Sequence, residues 1–586
     1  MSAFQNIKEY LKQVSLGVRN FQYFRLNQAG RLVKTFSAIE KRVLITAILA
    51  LVISASFLIV DSYFTATKQA PDYGGRFVEG LVGQPRYINP VLSAASNVDS
   101  DITRIVYSGL YRFHSDQSFV PDLAASMPEI SADQKQYTIH LRDDVYWHDG
   151  EKFSADDVVF TIQLIQNQAY NSPVRLNWNR VEVQKIDPTT VVLSLNEPTA
   201  AFATNLTQGI IPKHIWENVE AGSFALSRFN LEAVGTGPFQ MKDIVKSDEG
   251  EIRSLTLTAN LRYQPHRPYL DEVVFKFYET YDDMIAAYHS RDIMGIGYIP
   301  FDKKIYIEKS SRIELHNIHL PQYQALFFNK SKSDVLSDKN VRSALTQSVN
   351  RQQIIEEAYQ GAAEPSFGPI PPGYLGYNPG VEEANKYDLE NAKKLLTDAG
   401  FVSVEGSDIL KKGDVDLEFT ITLNNFPLNV QVAELLKSQW EKIGFKVNLE
   451  ILTIGELEQD HLRPREYQAL LFSENIGADP DPYLFWHSTQ RVDPGLNLGM
   501  LNNKEADDLL AEAHSNADPE YRRPRYERFQ EIMVDEMPAV FIVSPSFVYG
   551  LNEKVKGFDV TDVTSQSDRF TDIYNWYINE KRSVKN

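Results

Sequence analysis

Apolar residues fall at every second position in Leu417, Phe419, Ile421 and Leu423, and again in Phe445, Val447, Leu449 and Ile451. That spacing predicts two half-buried strands. Between them Val432, Leu435, Leu436, Trp440 and Ile443 recur at helical intervals, and Gly444 stands where a helix ends on a left-handed residue. Strand, helix and strand with short connections predict a βαβ crossover, and therefore a parallel sheet. Tyr137, Ile139 and Leu141 alternate in the same way, and Asp149-Gly150 predicts a turn. Ser154, with Asp157 three positions on, predicts a capped helix start before the apolar run Val158–Ile165. Amphipathic helices are expected at 387–401 and 503–514. The body of the chain reads as α/β.

One stretch has no polar face. "VLITAILALVISASFLIV", Val43–Val60, carries no charge and only two serines. As a helix it spans roughly 27 Å, close to the hydrocarbon thickness of a bilayer. Residues 1–42 before it hold eight basic and two acidic side chains, leaving 51 basic and 76 acidic residues beyond. Positive-inside bias predicts that 1–42 stay cytoplasmic and that the acidic body lies outside. A cleaved signal peptide has a much shorter basic region, and no small-x-small cleavage site follows Val60, so an uncleaved signal anchor is expected. Residues 61–75 are expected as a linker.

Length and charge narrow the rest. At 586 residues, 43% of them hydrophobic, the chain is too long for one ordinary core. A net charge of −19 argues against nucleic acid as a partner. The absence of cysteine excludes disulfides, thiolate nucleophiles and a lipid-modified N-terminal cysteine. No G-x-S-x-G elbow, H-E-x-x-H helix or phosphate loop is present, so catalysis, a metal and a cofactor are not expected. Asp156 and Asp157 are better explained by the dipole of a first helical turn than as a catalytic pair. His148 beside Asp149 reads as structural.

Several blocks carry a family likeness. They are "GGRFVEGLVGQPRYINPVLSAASNVDSDITRIVYSGLYRF" (74–113), "PDLAASMPEISADQKQYTIHLRDDVYWHDGEKFSADDVVFT" (121–161), "VGTGPF" (234–239), "FFNKSKSDVLSDKNVRSALTQSVNRQQII" (327–355), "GPIPPG" (368–373) and "GADPDPYLFW" (477–486). In this order the chain resembles the family 5 extracytoplasmic solute-binding proteins, peptide and dipeptide receptors of ABC-type importers, over nearly all of residues 74–580. The resemblance implies a two-lobed periplasmic-binding-protein-like fold of type II that closes on a hinge. Its lobes are expected at 76–318 with 545–586, and at 319–544.

The resemblance also implies a site. Asn475, Ile476 and Gly477 are expected to pair with a ligand backbone as an added strand, and Asp479 to take its α-ammonium. Pro480 and Pro482 would stiffen that acid, and Asp481 is expected to serve the turn. From the other lobe Gln84, Pro85, Arg86 and Tyr87 are nominated, with Asn329 facing the cleft and Trp147 as readily core as pocket. Ile476 departs from the tryptophan common in peptide-binding relatives. The expected protein is a monomeric solute receptor held in the membrane by Val43–Val60, delivering peptides to permease subunits. Alternatives are an oligosaccharide, metal complex or opine on the same fold, and a surface peptidase. A third is an adhesion or sensory protein that keeps the fold.

Overall fold

The structure is a computed structural model that describes residues 35–115, 118–308 and 312–585. Most of the cytoplasmic segment expected at 1–42 therefore lies outside the described residues. Helix α1, Ala38–Ala66, starts on a capping box in which Ser37 N–H donates to Glu40 Oε2 at 2.7 Å. It is 29 residues long with none buried, and is the one helix among the described residues long and apolar enough to cross a membrane. The expected linker is not loose chain. The helix runs on to Ala66, and β1 (Thr67–Asp72) follows it directly and pairs with a strand at the other end of the sequence, Asn579–Val584. From that partner strand Arg582 donates to Thr67 Oγ1 (2.8 Å) and to the Phe64 carbonyl (3.2 Å), and its guanidinium lies 4.1 Å from the Phe64 ring centroid. It thereby satisfies a carbonyl that the helix end leaves unpaired.

Residues Asp72–Asn579 form one compact unit. Its main sheet begins with β2 (Arg76–Val82), β3 (Phe239–Lys246), β4 (Ile252–Ala259), β5 (Glu272–Tyr278), β6 (Gly295–Ile299) and β7 (Ile313–His319). It continues with β8 (Gln322–Phe328), β9 (Glu418–Asn424), β10 (Lys446–Leu452), β11 (Ala469–Asn475) and β12 (Ala539–Asn552). The spatial order is β10-β9-β11-β8-β12-β6-β2-β5-β4-β3, with β7 also on β12. The predicted crossover is present: β9 and β10 pair in parallel from Glu418↔Lys446, with helix Pro427–Glu441 between them. Gly444 takes φ +97°, and a Cβ there would meet Leu410.

β12 joins the two halves. Its first part pairs with β8, its second with β7 and β6, and the change falls near Pro545–Ser546. One apolar core gathers residues from Phe77 to Phe277 together with Phe547–Trp576. Two others gather residues between Tyr323 and Val543. These are two lobes, each with its own core.

Two local expectations meet their residues here. Ser154 and Asp157 form the capping box, Asp157 also accepts from Lys213 N–H (2.9 Å), and Asp156 pairs with Lys185 (2.6 Å), so all of this acid pair's bonds are structural. His148 is held between Gly235 N–H (3.1 Å) and the Gly237 carbonyl (3.1 Å), and burial lowers its pKa to about 4. Trp147 is core.

Candidate functional site

The helix that forms one wall of the cleft, α2 (Asn97–Val106), is fixed by a buried charge cluster. Arg569 donates to both oxygens of Asp101 on α2 (2.7 and 2.6 Å) and to Glu79 on β2 (3.1 Å), and Tyr549 Oη donates to Glu79 at 3.1 Å. Burial pushes the Glu79 carboxyl up to about 7. Such clusters cost desolvation, and removing one partner strands a charge, so they hold geometry firmly. Ser100, Thr103 and Arg104 on the same helix, with Tyr107 just past its end, line a cavity of about 390 Å³.

Gly477 and Ala478 from the other lobe close that cavity. A neighbouring cavity of about 540 Å³ holds Asp479 and Arg522, and the two share Phe113, Thr204 and Ala478. Together they make one cleft between the lobes. Three backbone or amide contacts bridge the lobes beside it. Ala200 N–H donates to the His514 carbonyl (2.9 Å), Ala517 N–H donates to Gln134 Oε1 (2.6 Å), and Gln134 Nε2 donates to Asn516 Oδ1 (3.4 Å).

The strand before the acid is partly open. β11 pairs with β8 along its length, but with β9 only at Ala469 and Leu470. Ile476 N–H donates to the Pro321 carbonyl at 2.7 Å, so by strand alternation Ile476 faces β8 while the backbone of Asn475 and Gly477 faces the open edge. Ile476 itself is buried, and Gly477 N–H is taken by Asn475 Oδ1 (2.9 Å). The left-handed φ of +72° at Gly477 turns the chain into the cleft.

Asp479 is not an unpaired carboxylate. Arg522, in the helix Pro519–Glu536, donates to it through both Nη atoms, one bond at 2.8 Å, and also to Tyr526 Oη at 3.0 Å. The guanidinium is nearly buried, at 3% exposure, while the Asp479 side chain keeps 19%. This pairing raises the Arg522 pKa against the opposing cost of its burial. Asp481 is buried, accepting from Tyr483 N–H (3.2 Å) and meeting His514 Nδ1.

Two nominations move. Gln84, Pro85, Arg86 and Tyr87 are not among the residues lining either cavity. Gln84 Oε1 accepts from Ile252 N–H (3.1 Å), and Asp99 Oδ1 accepts from Arg86 N–H (2.7 Å), which pins the loop to its own lobe. Six residues downstream of Gln84 the chain does reach the cleft, through Pro90, Ser93 and Ala94. Asn329 sits just past the far end of β8 from Gln322, the residue that pairs with Asn475. It is buried, donating to the Arg465 carbonyl (2.8 Å) and accepting from Ser331 Oγ (2.7 Å), so its amide is spent on a turn rather than facing the cleft. Arg104 and Arg522 were missed. For Arg522 the available signal was a run of arginines, "YRRPR", at the start of an otherwise amphipathic helix.

The model for bacterial extracellular solute-binding proteins, family 5, matches residues 118–494. The chain belongs to this family. The receptor is 27% identical over 520 residues to the oligopeptide-binding protein AppA of Bacillus subtilis, covering 87% of this chain and 94% of AppA. It is 28% identical over 508 residues to the dipeptide-binding protein of Escherichia coli, covering 82% and 91%. Its fold superposes on AppA in complex with a nonapeptide with a TM-score of 0.64 at 25% identity, over 87% of this chain and all of the AppA chain. It superposes on NikZ of Campylobacter jejuni in complex with Ni(L-His) with a TM-score of 0.65 at 27% identity, over 86% and 99%.

Proposed function

We propose that this receptor captures peptides in the inter-lobe cleft and hands them to the permease of an ABC-type importer. The observation that carries the reading is the meeting, at Gly477–Asp479, of an unpartnered strand edge with a carboxylate at the cleft wall. An edge strand satisfies the amides of any peptide without reading its side chains. The Asn475 backbone and the Gly477 carbonyl supply the backbone groups, and Asp479 takes the α-ammonium in competition with Arg522. Relatives named for oligopeptide and dipeptide binding support the same reading. Helix α1 crosses the membrane with residues 1–42 on the cytoplasmic side, and the body works outside as a monomer. An unburied apolar helix preceded by a basic segment supports that topology.

Mass spectrometry of small molecules released on denaturing the purified receptor is the direct test. Peptides should be recovered in molar proportion to protein and should rebind uncut. Recovery of a sugar, an opine or a metal chelate instead would overturn the peptide assignment. Hydrolysis on rebinding would point to a peptidase. A mature N-terminus near residue 62–72 would overturn the anchor.

A further inference from the structure

We infer that Arg104 forms a carboxylate-binding subsite on the α2 wall of the cleft, so that the ligand is read as a zwitterion from two lobes. The inference rests on the peptide reading above and adds the acidic end of the ligand to it.

Arg104 is in the last turn of α2, and its side chain lines the 390 Å³ cavity with 19% exposure. A guanidinium carries five N–H donors, two of them on Nη2. Arg104 spends Nη2 alone, on Asp568 Oδ1 (2.9 Å) and Thr571 Oγ1 (2.9 Å). Nε and Nη1 make no hydrogen bond among the described residues, which leaves three donors for a ligand. Asp568 is spoken for on its other side, where Oδ2 accepts from Ser565 N–H (2.9 Å) and from Thr564 Oγ1. The acid therefore holds one side of the guanidinium and its own turn at once. Asp122, the other acid that feels Arg104, faces Arg112 more strongly.

The surroundings suit an anion that needs further donors. Ser100 and Thr207 already donate to the Ser93 and Thr204 carbonyls, but Ser93 and the mutually bonded Ser565 and Ser567 bring hydroxyls to the same cavity, and hydroxyls complete the shell of a carboxylate that an arginine holds by part of its fork. The volume is within the range of about 300–1,000 Å³ usual for small-ligand sites. The buried Arg569–Asp101 pair fixes α2 one turn earlier, so the guanidinium is presented from a rigid element. On the far side of the shared residues Phe113, Thr204 and Ala478 stands Asp479. A ligand lying across them has a cation subsite at one end and an anion subsite at the other.

The test uses the full-length receptor in nanodiscs and two pools of tripeptides, one with free C-termini and one C-terminally amidated, read by affinity selection and mass spectrometry. Wild type should retain the acids about 30-fold or more better than the amides. Arg104→Gln should bind both pools at the level of the wild-type amides, and Arg104→Lys should recover part of the preference, with thermal unfolding reporting that the variants fold. Splitting each pool into peptides with and without Asp or Glu separates a C-terminal from a side-chain carboxylate. Preference in the Asp- and Glu-free half assigns the C-terminus, and preference confined to the other half assigns the side chain. A wild-type acid-to-amide ratio near one overturns the inference whatever the variants do, as does a preference that survives intact in Arg104→Gln. If wild type retains neither pool, the peptide reading itself falls, and this inference with it.

Discussion

Arg522→Gln asks whether protein and ligand compete for Asp479. In the folded receptor the Arg522 guanidinium is 3% exposed and engages both Asp479 oxygens, with Tyr526 on its other flank. A ligand ammonium reaching Asp479 thus meets a carboxylate whose charge is largely answered. Taking the guanidinium away returns at least one charge-assisted hydrogen bond to the ligand, worth about 1.5–3 kcal/mol. That is on the order of a 10- to 150-fold tighter complex with a peptide bearing a free α-amino group. The N-acetylated peptide should gain nothing. Stability should move the other way but modestly, because the 19% exposure of Asp479 lets water take over part of the lost partner. Asp479→Asn is the harsher change, since it strands a nearly buried Arg522 at a cost of about 3–5 kcal/mol and removes the anchor as well. Calorimetry with a tripeptide retained by wild type and its acetylated form, on wild type, both single variants and the double variant, gives the coupling directly. Weaker or unchanged binding of the free-amino peptide to a folded Arg522→Gln variant would refute the competition. Asp479 would then be a strut for the helix Pro519–Glu536 and not a ligand group.

Glu474, one position before Asn475, is buried against Tyr323, which donates to it, and burial pushes its carboxyl up to about 8. Its folded pKa is raised, so its contribution to stability is full below about pH 4.5 and is lost as pH climbs toward 8. Glu474→Gln should flatten this fall in urea denaturation between pH 5 and 8.5, and an unchanged slope would count against the assignment. Gln134→Ala removes two of the three contacts that bridge the lobes beside the cleft, so scattering should show a more open receptor and peptide binding should weaken by a few fold. An equally compact variant with wild-type affinity would mean that these contacts do not favour closure. Gly477→Ala forces a side chain into left-handed backbone at about 1–2 kcal/mol, with open space around the new Cβ. Its denaturation midpoint should drop accordingly, and no drop would show that the turn relaxes freely.

What the sequence made legible was local. The β9–helix–β10 crossover announces itself because each side chain's face is set by neighbours two or four positions away, and the Ser154 box because its partners are three residues apart. The family blocks added the lobes and the region of the acid. The cleft was harder, since its walls come from segments around 90–109, 204–209, 477–479, 522 and 564–568. Arg104 meets Thr571 across 467 positions, and Arg522 meets Asp479 across 43, so no spacing rule could pair them. The family resemblance puts the loop Gln84–Tyr87 at the ligand because the relatives' loop lies there, and no local pattern shows what holds it in this chain. Asp99 and Ile252, which tie it down, are neighbours only in the folded lobe. The strand at Thr67–Asp72 is hidden from the sequence for a related reason: it has few apolar residues and forms only through its partner at Asn579–Val584.

β12 has a consequence for how this chain is made. It is the shared neighbour of β8 on one side and of β6 and β7 on the other, yet it is synthesised more than 200 residues after all three. At about 5–20 residues per second, a ribosome that has finished β8 needs on the order of 10–45 s to deliver the end of β12. Through that interval both half-built lobes carry exposed strand edges, which are templates for mispairing. Closing so long a loop is also slow. Neither lobe can mature ahead of the other, so their last step of folding is one event. A lesion in β12 will therefore be felt as loss of the whole receptor.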